Sequence, residues 1–483
     1  MRLAVRAAIA VTLLAGAYVL AFGVLAATVV LGILVIHHAT AAAIKVLVFA
    51  GLASAAVLRG LWGGLRSGRG DGDTGLLVSR ADQPELWATV DRLAAQVGTK
   101  GPDEIRLIPA VNAAVSEHSS MLGLRHGTRT MYIGIPLIEA FSTAELQAVL
   151  AHELGHYSGG HTALGPIVYR GHTAVVQLLV HLRSRPFVQR LFVGYAKLFF
   201  RVSNAVSRQQ EFEADASAAA IAGVGPATSA LSRLPAVTAA WKFFLETYVT
   251  PPVRASVVPG ALASGFRSLI SEPQRQRELA TIGVTEKAGN PYDTHPPLHE
   301  RIAVLQRNAI VGDATAESPP ARALLRDIDA IEGAIPGLLL RTPVPAVTWD
   351  EAAARVGRAQ CQTAADALLN AVAQCGGPAT LSGAIDLLSD GRSDELAAAL
   401  APQAPEQGRR DALQWALRAL VMVRLADAGR ASWTVSWTGA PWQCTGVDLS
   451  TVDERIDAAV ADPAAASALR TSVKRLGVIE PAT

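Results

Sequence analysis

Cysteine and excess charge of either sign are scarce in this chain. Its 483 residues include three cysteines, Cys361, Cys375 and Cys444, which are too few and too scattered for a disulfide framework. Lysine and arginine number 43 against 41 aspartate and glutamate residues, so the formal net charge is only +2. A nearly neutral chain argues against nucleic acid as a partner, because nucleic-acid binding depends on a basic surface.

What the chain does contain is a metal-binding pattern, His152-Glu153-Leu154-Gly155-His156. On a helix, residues four apart share one face, so His152 and His156 can bind the same ion. Zinc accepts imidazole nitrogens at about 2.0–2.1 Å. Glu153 lies beside the pair and can accept a proton from a water molecule bound to the ion. The pattern predicts a zinc hydrolase, although two histidines packed in a core would have the same spacing.

The residues around this pattern predict the helix that it needs. Ser142 and Glu145 have the spacing of a capping box, which predicts a helix that begins near Thr143. The glycines at 159 and 160 predict its end, one turn after His156.

A hydrolytic zinc site usually has three protein ligands, and the sequence offers two candidates for the third. His161 nearly completes the pattern HExxHxxGxxH, but it comes one residue early and lies beyond the two glycines. Glu211 and Asp215 lie four apart on one face of a predicted helix. Such a pair can supply a zinc ligand and a carboxylate that accepts a hydrogen bond from a ligand imidazole. A solvated acidic helix face is the alternative for this pair.

Three motifs follow one another in order: HELGH at 152–156, EFEAD at 211–215 and DTHPPLHERI at 293–302. This ordered set resembles the family of membrane zinc metallopeptidases that includes the HtpX-like heat-shock proteases and the CAAX prenyl endopeptidases. The segment Asn112-Ala113-Ala114 also resembles that family's Asn-Ala segment, on the strand thought to bind substrate. The resemblance covers about residues 1–310.

The resemblance implies a zinc centre with three protein ligands. His152, His156 and Glu211 would bind Zn2+. Asp215 would lie behind a ligand imidazole and accept its hydrogen bond.

The resemblance also implies which groups act on a polypeptide substrate. Glu153 would be the general base on the zinc-bound water and would later deliver the proton to the leaving amine. His295 would lie near the cleft as a second catalytic group that steadies the oxyanion, with Arg301 supporting it. Asn112 and Ala113 would bind the substrate.

The first 62 residues are strongly apolar, which predicts a membrane anchor. Residues 7–36 form an uncharged run of 30 residues, and a second run at 41–62 carries only Lys45 and Arg59. Each run exceeds the roughly 20 residues that cross a bilayer. Because the second run follows at once, we expect a transmembrane helical hairpin rather than a signal peptide.

Charges next to the apolar runs predict the orientation of this hairpin. Arg2 and Arg6 precede it and Arg66 and Arg69 follow it, whereas its turn carries no lysine or arginine. The positive-inside rule then predicts a multi-pass protein of the cell membrane with its catalytic domain on the cytoplasmic side. Similar proteins often have two further spans. Residues 187–202 instead predict a basic amphipathic helix, on the membrane or on the domain.

The predicted fold is mainly α with a small β-sheet. Residues 1–65 are expected to form the transmembrane hairpin, 66–310 a zincin-like α+β peptidase domain, and 311–483 a mostly helical domain of unknown role. Short strands are predicted at 104–108 and 129–135, and an alternating segment at 432–438 predicts a strand whose tryptophans pack in a core. Thr348 and Glu351 form a capping box for a helix to about Gln374.

The sequence thus predicts a membrane-anchored zinc endopeptidase, in contact with membrane lipid, that hydrolyses cytosolic or membrane-associated polypeptides. The alternative is a non-catalytic, zinc-stabilised membrane sensor or scaffold that binds partners through its C-terminal helices. Such a protein would need the zinc ligands but not Glu153. A prenyl-protein processing enzyme would need a chamber of many spans, which two predicted spans do not provide. The oligomeric state is left open.

Overall fold

The computed structural model describes residues 74–117, 128–157, 186–282, 296–307 and 318–479, with isolated positions before residue 52 and between 175 and 180. This part of the chain is mainly helical and contains a four-stranded sheet and two pairs of short strands, which confirms the predicted fold class for it. The predicted hairpin at 1–65 lies outside the described residues, apart from isolated positions. Among the described residues, no helix has both the length and the apolar character that a membrane crossing requires.

The chain divides into two compact units. The first contains Met1–Trp241 and Arg277–Ala334, and the second contains Lys242–Gln276 and Ile335–Thr483. The domain boundaries at residues 65 and 310 stay predictions.

The four-stranded sheet belongs to the first unit. Its strands, β1 (Leu76–Val78), β2 (Glu104–Ile108), β3 (Ala113–Glu117) and β4 (Arg129–Gly134), lie in the order β1-β2-β4-β3. Strands β2 and β4 are parallel, while β1 and β3 pair antiparallel with their neighbours. The predicted strands at 104–108 and 129–135 are confirmed. Alternate side chains of β2 and β4 are fully buried and join the sheet to the helices beneath it: Ile105, Leu107, Met131 and Ile133.

Strand β3 lies at one end of the sheet, and within the described residues it pairs only with β4. The N–H of Gly134 donates a hydrogen bond to the carbonyl of Asn112 at 2.8 Å. Because antiparallel bonds alternate, the backbone groups of Ala113 and Val115 point away from β4. Gly134 permits this close approach, since a Cβ there would lie 2.1 Å from the carbonyl oxygen of Ala110.

Helices make up the rest of the first unit. They are α1 (Pro84–Val97), α2 (Ile135–Ala140), α3 (Thr143–Gly155), α4 (Pro186–Ala222), α5 (Val224–Phe244), whose last three residues belong to the second unit, and α9 (Leu298–Arg307). Helix α3 begins where the capping box predicts, but it ends at Gly155, before the glycines at 159 and 160. The predicted end is wrong because the N–H of Tyr157 donates to the carbonyl of Leu154 at 2.9 Å, in a short turn that ends the helix.

The second unit is also mainly helical. Its helices are α6 (Thr250–Arg254), α7 (Leu262–Ser271), α11 (Trp349–Gln374), α12 (Leu381–Ser389), α13 (Ser393–Leu400), α14 (Glu406–Asp427), α15 (Ser450–Ala461) and α16 (Ala466–Arg475), while α8 (Pro273–Ala280) and α10 (Ile328–Leu339) cross the division between the units. Short strands pair as β5 (Val258–Pro259) with β6 (Ala346–Val347) and β7 (Ser432–Val435) with β8 (Trp442–Thr445).

Tryptophans in the second unit pack inside it. Trp433 on β7 is 5% exposed, and Trp437 lies 5.0 Å from the ring of Tyr248 and 5.1 Å from that of Trp349. These contacts confirm the predicted use of the tryptophan-rich segment in core packing. The capped helix predicted from Thr348 to about Gln374 is confirmed as α11.

A segment far along the chain satisfies the first amides of α3. The N–H of Thr143 donates to the carbonyl of Pro319 at 2.7 Å, and the N–H of Ala144 donates to Ser318 Oγ at 3.0 Å. Ser142 Oγ accepts from the N–H of Glu145 at 3.2 Å. The amides at a helix start have no partner within the helix, so these bonds fix where α3 begins.

Glu145 joins α3 to α5 through a buried carboxylate. Its oxygens accept hydrogen bonds from the N–H of Ser142 at 2.8 Å, the hydroxyl of Ser229 at 2.6 Å and the guanidinium of Arg233 at 2.6 Å. Burial alone would raise the pKa of Glu145, but these three donors outweigh burial and lower the pKa below its usual value of 4.5. Nothing in the local sequence indicated Ser229 or Arg233.

We expect Glu145→Ala to lower the free energy of unfolding of the first unit by about 2 kcal/mol at pH 7, because it removes a cap and leaves buried donors without an acceptor. The folded-state pKa is lowered, so this stabilisation is complete above about pH 4.5 and is lost as pH falls through the folded pKa. Urea unfolding across pH would measure it. The exposed Glu213→Ala serves as control, and an equal effect of both changes at pH 7 would contradict the assignment.

Candidate metal centre

Helices α3 and α4 bring the three predicted ligands together. His152 lies on α3, His156 directly follows the last residue of α3, and Glu211 faces both from α4. Gly155 allows the two helices to approach closely, since a Cβ there would lie 3.3 Å from the Cα of Ala214. The glycine inside the HELGH motif therefore has a packing role.

The distances between the three side chains match those around one metal ion. The two Nε2 atoms of His152 and His156 lie 3.2 Å apart. Glu211 places Oε2 at 3.5 Å from His152 Nε2 and Oε1 at 3.6 Å from His156 Nε2. Ligand atoms in a tetrahedral site with bonds of about 2.0–2.1 Å are about 3.3–3.4 Å apart. The donor set and its spacing therefore fit a metal such as zinc.

Asp215 determines which nitrogen of His152 faces the other ligands. Its Oδ1 lies 3.0 Å from His152 Nδ1, one turn along α4 from Glu211. A carboxylate in this position keeps the proton on Nδ1 and leaves Nε2 free to bind a metal. Asp215 is 3% exposed and Glu211 is 4% exposed, so the pair is not a solvated acidic helix face.

Arg301 on α9 contacts both buried carboxylates. Its Nε and Nη2 donate to Asp215 at 2.7 and 2.6 Å in a bidentate pair, and Nη1 lies 3.2 Å from Glu211 Oε2. Its Nη2 also lies 3.5 Å from the ring nitrogens of His152. Sequence reasoning connected Arg301 with His295, which lies outside the described residues. That connection stays a prediction, and the structure places the arginine behind two residues of the metal centre.

The charged groups in this cluster shift one another's pKa values. Burial alone would lower the pKa of His152, but hydrogen bonds with Asp215 and Glu211 outweigh burial and raise the pKa to about 9. Burial also opposes ionisation of Asp215, whose pKa is nevertheless lowered by its bonds with Arg301 and His152. Asp215 therefore stays ionised beside His152.

Glu153 follows His152 on α3 and is partly exposed. Its charge raises the pKa of both His152 and Arg301, so the carboxylate lies within electrostatic range of the cluster. The neighbouring acidic residue of the second motif, Glu213, is exposed on the other side of α4. In the second motif, Glu211 and Asp215 are therefore buried, whereas Glu213 is exposed to solvent.

The predicted substrate-binding residues lie at the start of β3. Asn112 precedes the strand and Ala113 begins it. Sequence reasoning missed Tyr157, whose hydroxyl donates to the carbonyl of Val115 on this strand at 2.6 Å. The feature of the sequence that could have indicated Tyr157 is its position directly after His156. The other candidate third ligand, His161, lies outside the described residues.

Comparisons with known proteins agree with this geometry. Residues 80–309 match the family model "Peptidase family M48". Among curated relatives, Protease HtpX from Ectopseudomonas mendocina (strain ymp) is 24% identical over 254 residues, which cover 48% of this chain and 77% of the relative. Protease HtpX from Hahella chejuensis (strain KCTC 2396) is 25% identical over 255 residues, which cover 49% and 76%. No solved structure matches.

The family and its relatives are described as peptidases, and the matched region contains each described residue of the metal centre. The match over residues 80–309 and the HtpX relatives together support an HtpX-like zinc metallopeptidase family for this part of the chain.

Proposed function

We propose that this protein is a membrane-anchored zinc endopeptidase that cleaves cytosolic or membrane-associated polypeptides. The observation that carries the proposal is the convergence of His152, His156 and Glu211 at tetrahedral ligand spacing. Asp215 and Arg301 behind them add the hydrogen bonds that orient such ligands.

Zinc is the metal that best suits this set of residues. Two imidazoles and one carboxylate are a ligand set of zinc hydrolases, which leave the fourth position for water or substrate. Zinc bound there would supply Lewis acidity and lower the pKa of a water molecule towards about 7.

Glu153 is proposed as the general base. Its carboxylate accepts a proton from the attacking water and passes that proton to the leaving amine as the peptide bond breaks. Its partial exposure keeps it accessible to substrate, and its charge contributes to the raised pKa of His152. A sensor or scaffold, the non-catalytic alternative, would not need a carboxylate at this position.

Strand β3 is proposed as the surface that binds the substrate backbone. Ala113 directs its N–H and C=O away from β4, and an extended polypeptide can pair with such groups as an added strand. Backbone pairing does not depend on side chains, so it suits an enzyme that acts on varied polypeptides. His295 is kept as a proposed second catalytic group near this cleft.

The proposed location is the cell membrane, with the metal centre on the cytoplasmic side. The support for it is the two apolar runs before residue 63 and the arginines on either side of them. In the described part of α4, Arg190, Lys197 and Arg201 are exposed while Phe199 and Phe200 are buried. A basic face of this kind suits contact with anionic headgroups.

We expect Glu153→Gln to keep its zinc and to lose at least about 100-fold in peptidase turnover, because the base is removed while the three ligands remain. Zinc content and casein cleavage would be measured on the same preparation. Turnover within tenfold of the wild type would contradict the role of Glu153, whereas a zinc-loaded wild type without turnover would favour the non-catalytic alternative.

We expect Glu211→Ala to weaken zinc binding by more than about 100-fold, since loss of an outer hydrogen-bonding partner alone costs about 10- to 100-fold. The matched control is Glu213→Ala, which removes an exposed carboxylate two residues away on the same helix. His161→Ala tests the other candidate ligand and should retain zinc. Zinc affinity would be measured by competition with a chelator. Equal losses of affinity in the Glu211 and His161 variants would show that the third ligand is assigned wrongly.

We expect a reporter fused after residue 75 to report the cytoplasmic side, because the arginines that precede and follow the apolar runs favour that side. Paired alkaline-phosphatase and fluorescent-protein fusions would measure this. Alkaline-phosphatase activity at that position would overturn both the orientation and the cytosolic substrate.

A further inference from the structure

One tyrosine links the metal-binding helix to the strand proposed to bind substrate. Tyr157 directly follows the ligand His156, and its hydroxyl donates to the carbonyl of Val115 at 2.6 Å. That carbonyl points away from β4, because the bond between Gly134 and Asn112 assigns the even-numbered residues of β3 to the ladder. The tyrosine therefore uses an acceptor on the side of β3 that an added strand would need.

The position of Tyr157 is fixed by several contacts. Its backbone carbonyl accepts a hydrogen bond from the hydroxyl of Thr99 at 3.0 Å. The guanidinium of Arg129 on β4 lies 4.9 Å from the centre of its ring. Arg129 is itself bound to Glu117 at 3.2 Å and to the carbonyl of Lys100. The hydroxyl is therefore presented to β3 by a fixed ring rather than by a side chain free to turn away.

These contacts divide the outer side of β3 into two parts. At Ala113 the backbone N–H and C=O point outward, towards the position of an added strand. At Val115 the outward carbonyl is instead bound by the hydroxyl of Tyr157. A polypeptide that pairs along β3 from Ala113 meets the tyrosine after two residues.

We propose that Tyr157 is a specificity-determining residue that limits how far an extended polypeptide can pair with β3. This inference rests on the proposed peptidase function and deepens it. A substrate strand gains hydrogen bonds at Ala113, and residues that extend past Val115 add nothing to its affinity. The protein thereby pairs with only a short stretch of the substrate backbone on that side of the cleaved bond.

Peptide binding to a non-cleaving protein tests the proposal directly. The full-length protein carrying Glu153→Gln is loaded with zinc, with and without Tyr157→Phe. Fluorescently labelled peptides are lengthened one residue at a time at the N-terminal end in one series and at the C-terminal end in the other. Tyr157→Phe keeps the ring over Arg129 and removes only the hydroxyl, so it releases the carbonyl of Val115.

We expect affinity to stop rising with length in one of the two series when Tyr157 is present. With Tyr157→Phe, that series should gain about two- to tenfold in affinity over roughly two further residues, the worth of one backbone hydrogen bond at the period of a strand. The other series should be unchanged. In cleavage assays with Glu153 intact, the same gain should appear in KM and not in kcat.

Tyr248→Phe in the second unit is the matched control, because it removes a hydroxyl that donates to a backbone carbonyl, Ser436, at 2.7 Å. The same length dependence with and without Tyr157→Phe would overturn the proposal. So would an equal loss of affinity for every peptide, which a merely structural tyrosine would cause, or no dependence on length at all. Zinc-dependent casein cleavage by the wild type is measured alongside, and its absence would overturn the peptidase function by itself.

Discussion

Two buried carboxylates on one helix need positive charge close to them, and this need organises the first unit. Asp215 and Glu211 are almost fully buried, and an isolated ionised carboxylate would be very costly in such a place. Arg301 contacts both, and His152 contacts both. When Glu153 is included, one divalent cation and one guanidinium balance three carboxylates. The charge of the site is therefore matched to a bound divalent metal with a neutral His152.

The guanidinium in this balance comes from a third helix. Helix α3 and the residue after it supply the imidazoles, α4 supplies the two buried carboxylates, and the two helices approach each other closely at Gly155. Helix α9 delivers the guanidinium from behind, where its two donors meet Asp215 as a planar fork. Removing this arginine would leave Asp215 buried and uncompensated, which is costlier than removing the pair together.

How much of this was predictable depends on the range of each interaction. The capping box and the helical spacings of the two motifs are local, so the sequence predicts the start of α3 and the shared face of Glu211 and Asp215. The bonds from the first amides of α3 could not be predicted, because one acceptor is the backbone carbonyl of Pro319 and the other is the Ser318 hydroxyl, 174 residues along the chain. The contact of Arg301 with Asp215 spans 86 residues and has no periodicity to reveal it.

The end of α3, which the sequence predicted wrongly, affects the position of Tyr157 beside β3. The carbonyl of Tyr157 lies two residues past the last residue of α3 and has no partner within that helix. Since α3 ends at Gly155, that carbonyl needs another partner, and the hydroxyl of Thr99 supplies it. Thr99 also accepts a bond from Arg129, over which the tyrosine ring lies. The early end of the helix thus places a fixed hydroxyl against β3, one residue beyond a metal ligand. A rule based on the local sequence alone cannot anticipate this, because the partners of Tyr157, Thr99 and Val115, lie 58 and 42 residues away along the chain.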